Sequence, residues 1–195
     1  MLTKLEIKRQ VFHIFFGIFL VLLLHFDFVD YLFLLIFFII GLILSLSSKN
    51  IKIPLIHNFL KTFDREKDLE TFPGKGAIFY VLGAFIVVLF FPKDIALASI
   101  MILALGDSIS RLIGPYGYLQ HPFHNKKFLE GAVAGIIAGF LGALFFVSWI
   151  PALIASTISM FLEGLDLRIK KFKIDDNLLI PVVAAAVMHS FSLLF

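Results

Sequence analysis

Seven stretches of this chain are apolar over lengths that suit a bilayer crossing, and this pattern limits the fold before any motif is considered. About 20 apolar residues, or roughly 17 to 25, carry a helix through the hydrocarbon. On that ruler the spans fall near residues 9–26, 30–47, 75–91, 95–114, 131–149, 150–163 and 178–195. The sixth is short enough to be re-entrant, and Gly106-Asp107 interrupts the fourth. The expected fold is an all-α polytopic integral membrane protein, a single transmembrane domain over residues 1–195. Hydrophobic residues fill 60% of the 195 positions, including 25 phenylalanines, which excludes a soluble domain of this size.

Charge tests the span count. If the N-terminus is cytoplasmic, the inner segments hold 16 of the 17 lysines and arginines and leave only Lys93 outside. Cytoplasmic enrichment of Lys and Arg is the usual bias, and a wrong count would scramble it. Seven spans with the N-terminus inside and the C-terminus outside are therefore expected. The outer connections are minimal (His25 to Asp30, Pro92 to Asp94, Trp149 to Pro151), whereas inner segments 48–74, 115–130 and 164–177 are long and polar. The opening MLTKLEIKRQ runs into the first span without a small-residue cleavage site and reads as a transmembrane helix, not a removed signal. The chain has no cysteine, so thiolate metal sites and disulfides are excluded.

Within the fourth span, IALASIMILALGDSISRLIG, Asp107 is the conspicuous residue. An unpaired carboxylate at membrane depth costs several kcal/mol on roughly any scale, so a metal or a cationic side chain is expected to compensate it. Gly106, Ser108 and Ser110 suggest a local break in the helix that exposes backbone groups. Downstream lie Arg111, Gly114, Gly117, the pair Lys126-Lys127 and then Glu130-Gly131. A nucleoside triphosphate needs oxygen ligands for Mg²⁺, cations for phosphate and glycines where the backbone approaches closely; all three occur here. The lysines also suit interfacial anchoring, and Arg111 suits snorkelling. No GxxxxGK[ST] occurs, which excludes a P-loop.

Three other clusters stand out. Glu6, Arg9 and His13 share one helical face, as an interfacial ion pair with a polar ring one turn deeper. Glu163 ends the sixth span, where a carboxylate wants a partner, and Asp175-Asp176-Asn177 opens the last span, where acids also serve as caps. In the first long inner segment, Leu55–Phe63 reads as an amphipathic surface helix followed by the solvated run Asp64–Glu70. The turn Phe72-Pro-Gly-Lys75-Gly76 then leads into the third span.

Taken together, Glu6, Lys8-Arg9, His13, Lys75-Gly76, Tyr80, Gly106-Asp107-Ser108, Gly114, Gly117, Lys126-Lys127, Glu130-Gly131, Glu163, Asp176-Asn177 and Pro181 resemble the membrane-bound CTP-dependent lipid kinases, the dolichol kinase and phytol kinase family. The resemblance runs over nearly the whole chain. It implies transfer of the γ-phosphoryl group of CTP to the hydroxyl of a membrane isoprenoid alcohol or of diacylglycerol. Phosphoryl transfer asks mainly for positioning and charge neutralisation. The expected metal ligands for Mg²⁺ are Asp107, Glu163 and Asp176. The expected nucleotide contacts are Lys126, Lys127, Arg111, Ser108, Gly114, Gly131, Asn177 and Lys75. Glu130 or His13 would serve as the general base. Two departures from the family pattern, Phe128 after the lysine pair and Ser110-Arg111 where a small residue is common, reshape the site or add Arg111 to the phosphate contacts.

Two alternatives remain at this point: a cytidylyltransferase that makes a CDP-lipid, and a small ion-coupled transporter. The sequence lacks a denser aspartate-rich signature that would favour the first. The outer face carries only Asp27, Asp30, Lys93 and Asp94, which disfavours the second. The expected partners are CTP, a lipid alcohol and the bilayer, with the lipid entering laterally between phenylalanine-rich spans and the active site facing the cytoplasm. No nucleic acid is expected. Gly131, Gly135, Gly139 and Gly142 in the fifth span invite close packing, within the chain or in a homo-oligomer.

Overall fold

A computed structural model describes residues 2–48, 54–121, 124–165, 167–169 and 172–194. The apolar runs become helices α1 (Lys4–His25), α2 (Tyr31–Ser48), α5 (Lys75–Phe90), α6 (Lys93–Met101), α8 (Leu129–Ala143), α9 (Trp149–Glu163) and α10 (Asp176–Leu194). From α6 the helix continues without interruption through a π-helical stretch, Ile102–Asp107, into α7 (Ser108–Ile113) and a 3₁₀ turn, Gly114–Tyr116. Lys4–His25, Tyr31–Ser48, Lys93–Tyr116 and Asp176–Leu193 are long and apolar enough to cross a membrane, and α5, α8 and α9 are shorter apolar helices. The polar segments carry α3 (Pro54–Phe63), α4 (Glu66–Thr71) and two small antiparallel ribbons, β1 (Gln120–His121) with β2 (His124–Phe128) and β3 (Arg168–Ile169) with β4 (Phe172–Lys173).

The outer surface identifies the solvent. On α8, Val133, Ile137 and Leu141 form an exposed i, i+4 ridge that Phe145 extends beyond the helix, and on α2, Ile36, Ile40 and Ile43 are exposed likewise. So much contiguous apolar surface needs hydrocarbon around it. The Lys93–Tyr116 segment is the central post. Its most apolar window is 72% buried, against 11% for Tyr31–Ser48. Around it pack α1, α5, α8 and α10, with α9 wedged against α8 and α10, and α2 lying outermost on α5.

Close packing, more than apolar area, holds helices together in lipid. The glycine stripe of α8 supplies it inside this one chain. A Cβ on Gly135 would sit 2.8 Å from the Gly106 carbonyl oxygen and 2.9 Å from Met160 Sδ; one on Gly131 would sit 2.7 Å from Gly114 Cα. Gly139 meets Ser156 and Ile102, and Gly142 meets Leu105 and Met101. The stripe is thus filled by the central post and α9. At α10, Pro181 has no N–H to give the Asn177 carbonyl four residues back, and Gly83 of α5 packs directly on that carbonyl and on the proline ring.

The connections are tied locally. Asp30 Oδ1 accepts from Phe33 N at 2.9 Å, starting α2, and Thr3 Oγ1 accepts from Glu6 N at 3.1 Å, starting α1. Lys93 Nζ bonds both Asp27 Oδ1 (2.6 Å) and the His25 carbonyl (3.0 Å), clamping the α1–α2 turn to the start of α6. Gly74 precedes α5 with φ at 73°, a conformation glycine adopts freely, and its N–H donates to Asp64 Oδ2 at 2.6 Å. Burial pushes the Asp64 carboxyl above its ordinary range while this N–H pulls it back.

Gly135→Val places branched carbons against the Gly106 backbone and is expected to cost about 1–3 kcal/mol, the usual scale of overpacking. Thermal unfolding of the detergent-solubilised variant, compared with Val133→Ala on the exposed ridge, checks this; only the first should lower the midpoint.

Candidate active site

The starts of α1, α5, α8 and α10 and the ends of α7 and α9 meet at one end of the bundle, and the charged side chains converge there. Asp107, at the end of the π-helical stretch, is 2% exposed. The wide π turn adds a residue to the helix just before the chain needs Asp107 and Arg111 on one face; such turns recur at functional sites. One helical turn further on, Arg111 Nε donates to both Asp107 carboxylate oxygens at 2.9 Å. Its Nη2 donates at 2.8 Å to Asp176 Oδ2 from the first turn of α10. Glu163, 3% exposed at the end of α9, pairs with Lys127, whose Nζ also donates to the Glu163 carbonyl at 2.6 Å. The β1–β2 ribbon delivers that lysine, since β2 runs straight into the Phe128 cap of α8.

Asp107, Glu163 and Asp176 therefore share one place. Each offers an oxygen within 4.8 Å of the others, the group of three acids among the described residues whose spacing suits an ion. Three hard carboxylate oxygens with room for water or phosphate are the donor set that Mg²⁺ takes, so these residues fit it. Arg111 and Lys127 meanwhile neutralise the same carboxylates, as low dielectric requires.

A second network lies beside the first. Asn177 Nδ2 donates to the Gly76 carbonyl at 3.1 Å, which orients the amide so that Oδ1 faces His13 Nε2 at 2.9 Å. His13 Nε2 then carries the proton, and Nδ1 accepts from the Ser108 hydroxyl at 3.1 Å. The ring also stands edge-on to Tyr80, centroids 4.6 Å apart. His13 thus ties α1, α5, α7 and α10 together, with both ring nitrogens engaged. Glu6 binds Arg9 (2.9 Å), Gln10 (2.6 Å) and Arg65 (3.2 Å).

Of the residues singled out from sequence, Asp107, Arg111, Lys127, Glu163 and Asp176 come together, with His13, Ser108 and Asn177 adjoining. Lys75 Nζ lies 3.3 Å from Asp175 Oδ2 and over the Phe79 ring. Gly114 and Gly131 are in mutual contact where the 3₁₀ turn meets α8. Glu130 stands apart: its carboxylate accepts from Tyr118 N (2.8 Å) and Leu119 N (3.1 Å), holding the loop before β1. The Lys126 side chain lies outside the described residues. Sequence reasoning left Arg65 in a solvated run, yet it borders two cavities and reaches Glu6 across 59 positions. Nothing local in the sequence marks that contact.

The cavities flank Arg111. One, of about 350 Å³, is lined by Thr3, Glu6, Ser110, Lys127, Phe128 and Glu163 among others. The other, of about 340 Å³, is lined by Arg9, Phe12, Lys75, Asp107, Asp176 and Asn177 among others. Removing one partner of a buried ion pair leaves a stranded charge, at a cost of about 3–5 kcal/mol. Lys127→Met should therefore lower stability by about that amount, and adding Glu163→Gln should restore most of it. Chemical denaturation of the single and double variants measures the difference.

No family model and no solved structure matches the chain. Among curated proteins, it is 31% identical to an uncharacterized protein of Methanocaldococcus jannaschii, over 94% of this chain and 93% of the other. It is 28% identical to CTP-dependent diacylglycerol kinase 1 of Eremothecium gossypii, over 97% of this chain and 68% of that one. A "Probable phytol kinase 1, chloroplastic" of Glycine max is 30% identical over 66% of this chain and 47% of its own length. With likeness to lipid kinases of two kinds along most of its length, the chain belongs to the CTP-dependent lipid kinase family.

Proposed function

We propose that this protein transfers the γ-phosphoryl group of CTP to the hydroxyl of a membrane lipid, an isoprenoid alcohol (dolichol, polyprenol, phytol or geranylgeraniol type) or diacylglycerol. The observation that carries the reading is the meeting of three carboxylates and two cations between two cavities, at the end of a bundle whose flanks suit lipid. The seven apolar helical segments would cross the bilayer with the N-terminus and the site on the cytoplasmic side, in line with the skewed distribution of Lys and Arg.

Asp107, Glu163 and Asp176 would hold Mg²⁺, which would supply positive charge to offset that of the triphosphate. Arg111 and Lys127, beside these carboxylates and on the wall of a cavity, would place positive charge against phosphate, where negative charge develops as the bond to the departing CDP breaks. The lipid oxygen attacks the γ-phosphorus, the bond from γ-phosphorus to its bridging oxygen breaks, and CDP leaves with the electron pair. The transition state is loose, so the hydroxyl proton departs late and carboxylates lining the second cavity suffice to take it. His13, with both nitrogens engaged, is better suited to holding Asn177 and Ser108 in place than to acting as the base. Glu130, turned toward the Tyr118 amide, suits loop support.

Purified protein supplied with geranylgeraniol or diacylglycerol should move label to the lipid from γ-labelled CTP and not from α-labelled CTP; the opposite result identifies a cytidylyltransferase. Asp107→Asn should lower kcat about a thousandfold, the several kcal/mol that a metal ion's charge supplies. A variant with undiminished kcat would remove Asp107 from the metal site.

A further inference from the structure

The backbone at Arg65, between α3 and α4, is anchored on both sides. Phe63, the last residue of α3, sets its ring centroid 4.8 Å from that of Phe12 on α1. Asp64 accepts the Gly74 N–H at 2.6 Å, tying the segment to the start of α5. The Arg65 carbonyl then accepts from Asp68 N (2.9 Å) and Leu69 N (3.0 Å), which starts α4. The side chain that leaves this fixed point is 49% exposed. An arginine that served only to solvate the surface would need none of these ties.

From there the guanidinium reaches the charged end of the bundle. Among the described cations, Arg65 and Arg111 are the two that line both cavities. They differ in how firmly they are committed. Arg111 holds Asp107 and Asp176, and Lys127, on the first cavity, holds the buried Glu163. Withdrawing either cation would strand a carboxylate. The partner of Arg65 is Glu6, with Nη2 3.2 Å from Oε2 and 3.4 Å from Oε1. Without Arg65, Glu6 still has Arg9 at 2.9 Å and Gln10 at 2.6 Å. An exposed pair at such distances adds little to stability, so this guanidinium can change partner at small cost.

Resting on the kinase reading, we propose that Arg65 is a phosphate-binding residue, brought to the site by the α3–α4 segment, which exchanges Glu6 for the oxygens of a phosphate group beside Arg111. The anion is the terminal phosphate of the nucleotide or the phosphate monoester of the product lipid. A guanidinium offers either one paired donors as well as charge. Arg111 alone, already holding two carboxylates, has less of both to give.

Ligand-induced rise of the unfolding midpoint, measured on the full chain in detergent micelles, tests this without turnover. The ligands are Mg·CTP, a lipid phosphate (geranylgeranyl phosphate or phosphatidate) and the matching phosphate-free alcohol (geranylgeraniol or diacylglycerol). In Arg65→Gln the half-saturating concentration of Mg·CTP or of the lipid phosphate should rise about thirtyfold, the loss of about 2 kcal/mol, and that of the free alcohol should stay unchanged. Whichever phosphate ligand moves identifies the source of the anion, and movement of both assigns Arg65 to each in turn. The control is Lys67→Gln, which removes an exposed cation that lines neither cavity and should move none of the three. If neither phosphate ligand moves in Arg65→Gln, the assignment is overturned. An equal shift for the free alcohol overturns it too, because a residue that merely braces the segment would weaken all ligands alike. An equal effect of Lys67→Gln does the same, by showing diffuse surface charge at work. Failure of the kinase reading is seen separately, as absence of γ-label transfer by the unmodified protein.

Discussion

Arg111 is the interaction on which the rest of this end of the molecule depends. A carboxylate buried as deeply as Asp107 cannot stay charged in apolar surroundings without a partner. One guanidinium supplies it, using Nε for both Asp107 oxygens and Nη2 for Asp176. A planar fork with donors on separate nitrogens can do this, whereas a lysine ammonium would act as a single point charge. Because Asp176 opens α10 and Asp107 belongs to the central post, the same contact fixes the two helices relative to each other. Lys127 repeats the logic for Glu163, fixing β2 against the end of α9.

These contacts require helix backbones to come close, and that is where the glycines act. Gly131 and Gly135 let α8 approach the post at Gly114 and Gly106; side chains there would hold the two apart and move Lys127 away from Glu163. Gly83 does the same between α5 and α10, bringing Gly76 within reach of Asn177 and so orienting the amide that faces His13. Packing in lipid and preorganisation of the polar cluster are two results of the same small residues. The carboxylates, cations and hydrogen-bonded ring are therefore held before any ligand arrives, as phosphoryl transfer asks.

Much of this was legible in the chain. The apolar runs correspond to the helices because burial in hydrocarbon leaves no other way to satisfy the backbone. The acids Asp107, Glu163 and Asp176 stood out because charge at the ends of apolar spans is costly, and that cost does not depend on knowing the neighbours. The expected break at Gly106-Asp107 proved to be a π-helical stretch instead: the post stays continuous, and the irregularity adjusts register without opening the backbone. The family resemblance offers Glu130 as one of two candidate bases, whereas side-chain direction, which spacing alone does not give, turns it to the Tyr118 and Leu119 amides. Arg65 was lost in a run of mixed charge because its partner Glu6 is remote in sequence.

What the sequence determined by itself was the set of apolar helices and the identity of its costly charges, since both follow from transfer between water and hydrocarbon, a property of each segment alone. The tertiary structure decided which charges meet. Arg111, which could have snorkelled outward, holds two carboxylates, and Ser108 donates to His13. It also decided that the glycine stripe of α8 faces the chain's own post, and that two cavities open on either side of Arg111. Those outcomes depend on distances between segments far apart in the chain, which are set by how the helices pack and by no segment's composition.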